Sequence, residues 1–128
     1  MSDEATAAIF QRLPDLVNGD AALVRRGRWL TGTFRVDCGT VPVFVSVETG
    51  RIAAVEVGPK LLRSVQFSIA APADAWRQFW QPMPVAGFHD IFAMTKAGVA
   101  KIDGHLEPLM ANLRYVKEVL AAPRGRDA

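Results

Sequence analysis

Residues 29–57, WLTGTFRVDCGTVPVFVSVETGRIAAVEV, hold three short runs of alternating side chains separated by two glycine turns. From Trp29 to Cys38, Leu30, Phe34, Val36 and Cys38 fall on one side, and Thr31, Thr33, Arg35 and Asp37 on the other. From Val41 to Val47 the odd positions are all valine, against Pro42, Phe44, Ser46 and Glu48. From Arg51 to Val57, Ala53, Val55 and Val57 share a side. A period of two is what a strand with one buried face requires. The turns at 38–40 and 49–51 are short, so the three runs predict an antiparallel meander. Pro42 removes a ladder donor and belongs at a strand end or an outward position.

Working outward, Ser64–Ala71 predicts a fourth strand with Val65, Phe67, Ile69 and Ala71 inward. Before the meander, Asp3–Val17 predicts a helix with Ala5, Ala8, Ile9, Leu13 and Leu16 as its stripe, capped by Ser2 or Asp3. Pro14 implies a kink there or a second short helix. After the meander, 72–80 predicts a helix opened by Pro72, with Trp76, Phe79 and Trp80 on one stripe. Two prolines and a glycine make 81–87 a loop. Phe88–Ala97 predicts another helix, 98–104 a fifth strand, and Leu106–Ala121 a closing amphipathic helix stopped by Pro123. In that helix Leu106, Leu109, Met110, Leu113, Val116 and Leu120 form the stripe, and Glu107, Arg114, Lys117 and Glu118 face water. Strands and helices in segregated runs imply α+β, with helices on one face of a single, mainly antiparallel sheet. The 128 residues suit one domain: a core over 27–122, a helical segment over 1–20 and a flexible tail over 123–128.

A net charge of +2 implies no strong field, and the basic residues lack interleaved exposed aromatics, so nucleic acid is not an expected partner. The local cluster Arg25, Arg26 and Arg28 is either solvated or a contact for an anionic membrane surface. The single cysteine, Cys38, excludes an intrachain disulfide, suits a reducing compartment and reads as structural. The acidic, amphipathic start is unlike a signal peptide, and no apolar run approaches the ~18 residues of a membrane span. The expected location is the cytoplasm.

His89 and Asp90 interrupt an apolar stretch, GFHDIFAM at 87–94. Adjacent residues of one helix diverge by about 100° and do not pair. Asp90 reads as a helix start, and His89 as a polar side chain at the surface or at a pocket mouth. The other histidine, His105, is not at zinc-ligand spacing from it, and no phosphate loop or nucleophile elbow occurs. No metal or cofactor is expected. Trp76, Phe79, Trp80, Met83, Phe88, Ile91, Phe92 and Met94 crowd into nineteen residues. They make either a plain core or the wall of an adaptable apolar pocket.

The meander over 26–58, the strand and helix SVQFSIAAPADAWRQFW (64–80) and the closing AGVAKIDGHLEPLMANLRYVKEVL (97–120) together resemble the sterol carrier protein 2 family of lipid-binding and lipid-transfer proteins. His105 stands where that family commonly has an acidic residue able to cap the last helix. The resemblance implies a five-stranded sheet with helices on one face, an enclosed apolar tunnel, and fatty acids, acyl-CoA esters, sterols or similar lipids as ligands. It implies no chemistry. On this reading Trp76, Phe79, Trp80, Met83, Phe88 and Phe92 line the cavity from the aromatic helices. Leu109, Met110 and Leu113 line it from the closing helix, and Phe67 and Ile69 from the sheet, with His89 or Arg77 meeting a polar head. Two rivals stand beside it. One is a small cavity enzyme, an isomerase or hydrolase, with His89 as base oriented by Asp90 or Asp103. The other is a protein-interaction module or homodimer using the aromatic helices as its face.

Overall fold

In the computed structural model, which describes residues 2–60 and 63–125, the three alternating runs form β1 (Gly32–Cys38), β2 (Val41–Glu48) and β3 (Arg51–Val57). β4 (Phe67–Ala71) and β5 (Lys101–Gly104) complete one sheet in the order β3-β2-β1-β4-β5. The β1–β4 junction is parallel and the other three are antiparallel. Register sets the two faces. Val36 lies between Val43 and Ile69, and Phe34 is opposite Val45, so the alternating valines and phenylalanines share one buried face.

One expected phase is corrected. The register shifts between Ser46 and Val47, placing Ile52, not Ala53, on the inner face. Ile52 is buried and Ala53 exposed. A bulge absorbs one residue and reverses the alternation beyond it. The outer face carries polar residues, Pro42, the small Ala54 and Ala70, and one large ring, Phe44, which is buried beneath the Arg63 guanidinium, 5.6 Å from the ring centroid. Arg63 is itself held 2.6 Å from Glu56.

The helices join the inner face in one core. The N-terminal region forms α1 (Asp3–Ala8), one 3-10 turn (Ile9–Arg12) and α2 (Leu13–Asn18), with Pro14 in the first turn of α2. Its buried stripe is Thr6, Ala7, Phe10, Leu13 and Val17, rotated from the expected one because Ala5 and Ala8 weigh less than Phe10 and Val17 in burial. The Ser2 hydroxyl caps α1 at 3.1 Å. A helix the sequence reading omitted, α3 (Ala21–Arg26), is capped by Asp20, whose carboxylate accepts from Leu23 N–H at 3.1 Å.

Beyond the meander come α4 (Ala73–Phe79), α5 (Ile91–Lys96), α6 (Glu107–Ala111) and α7 (Leu113–Ala121). The expected single closing helix is thus two. Asn112 leaves helical geometry (φ −123°, ψ 31°), and its side-chain amide donates to the Pro108 carbonyl at 2.9 Å. Such a local bond competes with helix continuation. The break turns Leu106 and Met110 outward, 41% and 54% exposed, while Leu109, Tyr115, Val116, Val119 and Leu120 are buried. Lys117 and Glu118, expected in water, are half-buried and paired with Asp90 and Arg26.

The stretch expected as a flexible tail begins anchored. Pro123 is buried, Arg124 donates to the carbonyls of Phe79 (2.9 Å) and His89 (2.8 Å), and Gly125 N–H donates to the Trp80 carbonyl (3.0 Å). Residues 126–128 of that stretch lie outside the described residues.

Candidate ligand-binding interior

The interior has two ends of different character. At one end four rings close on each other. Phe10 meets Trp76 edge-on at 5.4 Å and Trp80 at 5.0 Å, while Trp76 lies 5.7 Å from Phe79 and 6.0 Å from Trp80. Both indole N–H groups are spoken for: Trp76 donates to the Asp37 carbonyl at 3.1 Å and Trp80 to the Leu120 carbonyl at 2.8 Å. Buried indoles with satisfied N–H groups and edge-to-face neighbours are fixed in place. These tryptophans therefore serve as a packed wall.

At the other end the sheet supplies Phe34 and Phe67, stacked at 5.0 Å and 7° apart in plane, with Ile69 beside them. Ile91 and Met94 of α5 and Leu109 of α6 are fully buried in the same core. Phe88, Phe92 and Leu113 are half-buried and packed against it. Of the expected lining, then, Phe67, Ile69, Trp76, Phe79, Trp80 and Leu109 are buried, while Met83, His89 and Met110 are not enclosed. Met83, 89% exposed, borders an open depression of about 650 Å³ on the outer side of α4, with Asp74, Arg77 and Gln81. Arg77 there lies 3.4 Å from Asp74.

The lining expected from the sequence leaves out Phe10, Phe34 and Tyr115, all fully buried. Phe34 sat on the correct strand face and only its role went unread. Phe10 is spaced i, i+3 from Ala7 and Leu13, a signal hidden by the alanines around it.

The ionisable candidates do not converge. The Asp90 carboxylate accepts from the N–H groups of Phe92 and Ala93, both at 2.9 Å, and lies 3.1 Å from Lys117. Burial alone would raise its pKa, but the Ala93 N–H, the Lys117 ammonium and the Phe92 N–H together hold it below the ordinary carboxylate value. Asp90 is thus the N-cap of α5, as its position implied. His89 is exposed, and its backbone carbonyl accepts from Arg124. Asp103 lies 3.7 Å from Lys101 at the surface. Burial pushes the Cys38 thiol up to about 12. Among the described residues no three His, Cys, Asp or Glu side chains gather as a metal site, and no helix is long and apolar enough to cross a membrane.

No family model matches this sequence, and no curated protein matches it. Solved structures do. A crystal structure of sterol carrier protein 2 superposes with a TM-score of 0.69 at 14% identity, covering 94% of this chain and 95% of that one. The chain has the sterol carrier protein 2 fold. The same fold is shared by a conserved hypothetical protein from Thermus thermophilus, described as possibly a sterol carrier protein (TM-score 0.62, 14% identity, 94% and 90% covered). It is shared too by UbiJ-SCP2, a ubiquinone synthesis protein (TM-score 0.59, 14% identity, 91% and 92% covered). The sterol carrier protein 2 likeness spans the N-terminal helices and the closing helices as well as the sheet, and at this identity it is a likeness of fold.

Proposed function

We propose that this protein binds a hydrophobic small molecule of fatty-acyl or sterol type between its sheet and helices, carries it, and performs no chemistry on it. The observation that carries this reading is the chemical uniformity of the interior. Apart from Thr6, Ser68 and the phenol of Tyr115, every buried residue among those described is apolar, glycine or proline. An apolar chain entering between α5, α6 and β4 meets Phe34, Phe67, Ile69, Met94 and Leu109. The half-buried Phe88, Phe92 and Leu113 form the rim it displaces, and the Phe10–Trp76–Trp80 wall limits how far it reaches. The α6–α7 break at Asn112 makes the roof two short pieces, which separate more readily than one long helix.

Burying one ligand CH₂ yields ~0.8 kcal/mol, so a dozen give roughly 10 kcal/mol gross. Losing about half of that to immobilisation leaves high-micromolar to millimolar binding, and a longer chain or a sterol ring system brings the affinity into the micromolar range. The sterol carrier protein 2 fold supports the same ligand class.

Displacement of a fluorescent fatty acid, with native mass spectrometry of the freshly purified protein, tests the proposal. Micromolar displacement is expected, weakened about tenfold or more by Phe92→Glu at the rim and unchanged by Met83→Glu on the outer side of α4. Absence of both displacement and any bound mass overturns it.

A further inference from the structure

Trp29 is 78% exposed, whereas the other two tryptophans are buried. A single exposed indole needs no explanation by itself. Its surroundings single this one out. The Arg28 guanidinium lies 5.0 Å from the Trp29 ring centroid, and it also donates to the Arg25 carbonyl at 2.8 Å, which pins it beside the ring. Ala22, Arg25, Arg26, Arg28 and Trp29 border one shallow, open depression of about 490 Å³. Ala22, Arg25 and Trp29 follow helical spacing along α3 and the turn beyond it.

The patch is presented by a stiff support. Leu23 and Leu30 are buried beneath it. Gly27 lies so close to the Tyr115 ring that an added Cβ would overlap it. The Tyr115 hydroxyl donates to the Gly50 carbonyl at 2.6 Å, and Gly50 N–H donates to the Leu30 carbonyl at 3.3 Å. The arginines divide in role. Arg26 turns inward to Glu118 of α7, so it is a structural partner and not part of the displayed charge. Arg25 and Arg28 have no carboxylate within ion-pair distance among the described residues.

We infer that the α3–β1 corner is a docking surface for a bilayer carrying anionic headgroups, with Trp29 entering the interface and Arg25 and Arg28 meeting lipid phosphates. A tryptophan flanked by arginines has the amphipathic shape of the membrane–water boundary: an apolar ring at headgroup depth and cations beside it. The shallow depression suits a broad lipid surface better than an enclosed small anion. Each arginine near an anionic leaflet raises partitioning by about fivefold, and salt removes that gain. The inference does not depend on ligand binding inside the fold. Fatty-acid displacement in free solution reads the interior, and vesicle partitioning reads the corner.

The test uses the full chain with phosphatidylcholine vesicles, with and without phosphatidylglycerol, whose acyl chains carry bromine as a contact quencher. At low salt the anionic vesicles should bind the protein, shift tryptophan emission to the blue and quench it. Neutral vesicles, or high salt, should do neither. Arg25→Glu with Arg28→Glu should lower partitioning by about 25-fold or more. Trp29→Phe should retain most of the binding and abolish the quenching, since Trp76 and Trp80 are out of reach. All three positions lie at the surface, and a melting curve for each variant confirms folding. Partitioning that ignores lipid charge, equal binding by the charge-reversed variant, or quenching that survives Trp29→Phe would each overturn the inference. Binding to an acidic polypeptide without binding to anionic vesicles would also overturn it, in favour of a protein partner.

Discussion

The Lys117 ammonium lies 3.1 Å from the Asp90 carboxylate, which simultaneously accepts the Phe92 and Ala93 N–H groups. One side chain therefore starts α5 and ties it to the middle of α7. The histidine–aspartate pair that raised the question of catalysis is divided between a cap and a ring at the surface.

Removing that carboxylate has a defined cost. Asp90→Ala should lower stability by about 1–2 kcal/mol in urea unfolding at neutral pH, the usual loss for an N-cap. The folded-state pKa of Asp90 is depressed, so its contribution is fully present above about 3.8, the ordinary value. It is lost as pH falls through the lower folded value. Asp90→Asn should keep part of the cap and flatten the acid limb of the stability curve; an unchanged acid limb would contradict this.

Tyr115 is the chain's one tyrosine, so its ionisation can be followed by ultraviolet absorbance without interference from a second phenol. Burial pushes its pKa up to about 12. The native protein should show no phenolate until about that pH, while unfolded protein ionises near 10. For this group the phenol is the stabilised form, so its contribution should be constant below about pH 10 and fall away from there towards 12 or unfold the chain first. Tyr115→Phe leaves the Gly50 carbonyl without its partner and should cost about 1–3 kcal/mol.

Gly39 is held at φ +63°, and a Cβ there would collide with the Asp3 carboxylate. That carboxylate accepts from both the N–H (3.0 Å) and the hydroxyl (3.1 Å) of Thr40, fastening α1 to the β1–β2 turn. Gly39→Ala should destabilise by about 1–3 kcal/mol through backbone strain and loss of this contact. In an Asp3→Ala background the penalty should shrink, leaving the strain alone. A full penalty in both backgrounds would show that Asp3 plays no part.

Cys38 is buried, with its thiol raised to about 12 by that burial. A disulfide reagent at neutral pH should leave the folded protein unmodified and label it completely once unfolded. Prompt labelling of the native state would show that the β1 end opens readily.

The parts of the fold legible in the sequence are those where one period dominates. The valines at 41, 43, 45 and 47 admit only a half-buried strand, and the order of strands and helices followed from similar runs. The failures come from local features that leave no gap in the pattern, or from segments too short to show one. The bulge beside Val47 moves the inward position from Ala53 to Ile52 without any break in the run. The N-terminal stripe is misphased because alanine on two faces masks Phe10. Asn112 breaks the closing helix with a side-chain bond that spacing cannot show. α3 did carry signals, Asp20 before it and Gly27 after it, but at six residues it is too short for periodicity to be decisive. At the interior, residue types were readable and contacts were not. Whether Trp76 faces a ligand or Phe10 depends on which distant element arrives beside it.

The parallel pairing of β1 with β4 has a consequence for synthesis of the chain. β1, β2 and β3 emerge from the ribosome in succession and pair as local hairpins. The remaining edge of β1, with Phe34 and Val36 facing inward, waits for residues 67–71. Until β4 arrives the nascent meander offers an unpaired backbone edge and one bare apolar face, the combination most prone to association with other chains. Slowing translation between residues 58 and 66 should lengthen that interval and lower the yield of folded protein, without altering a single contact of the finished molecule.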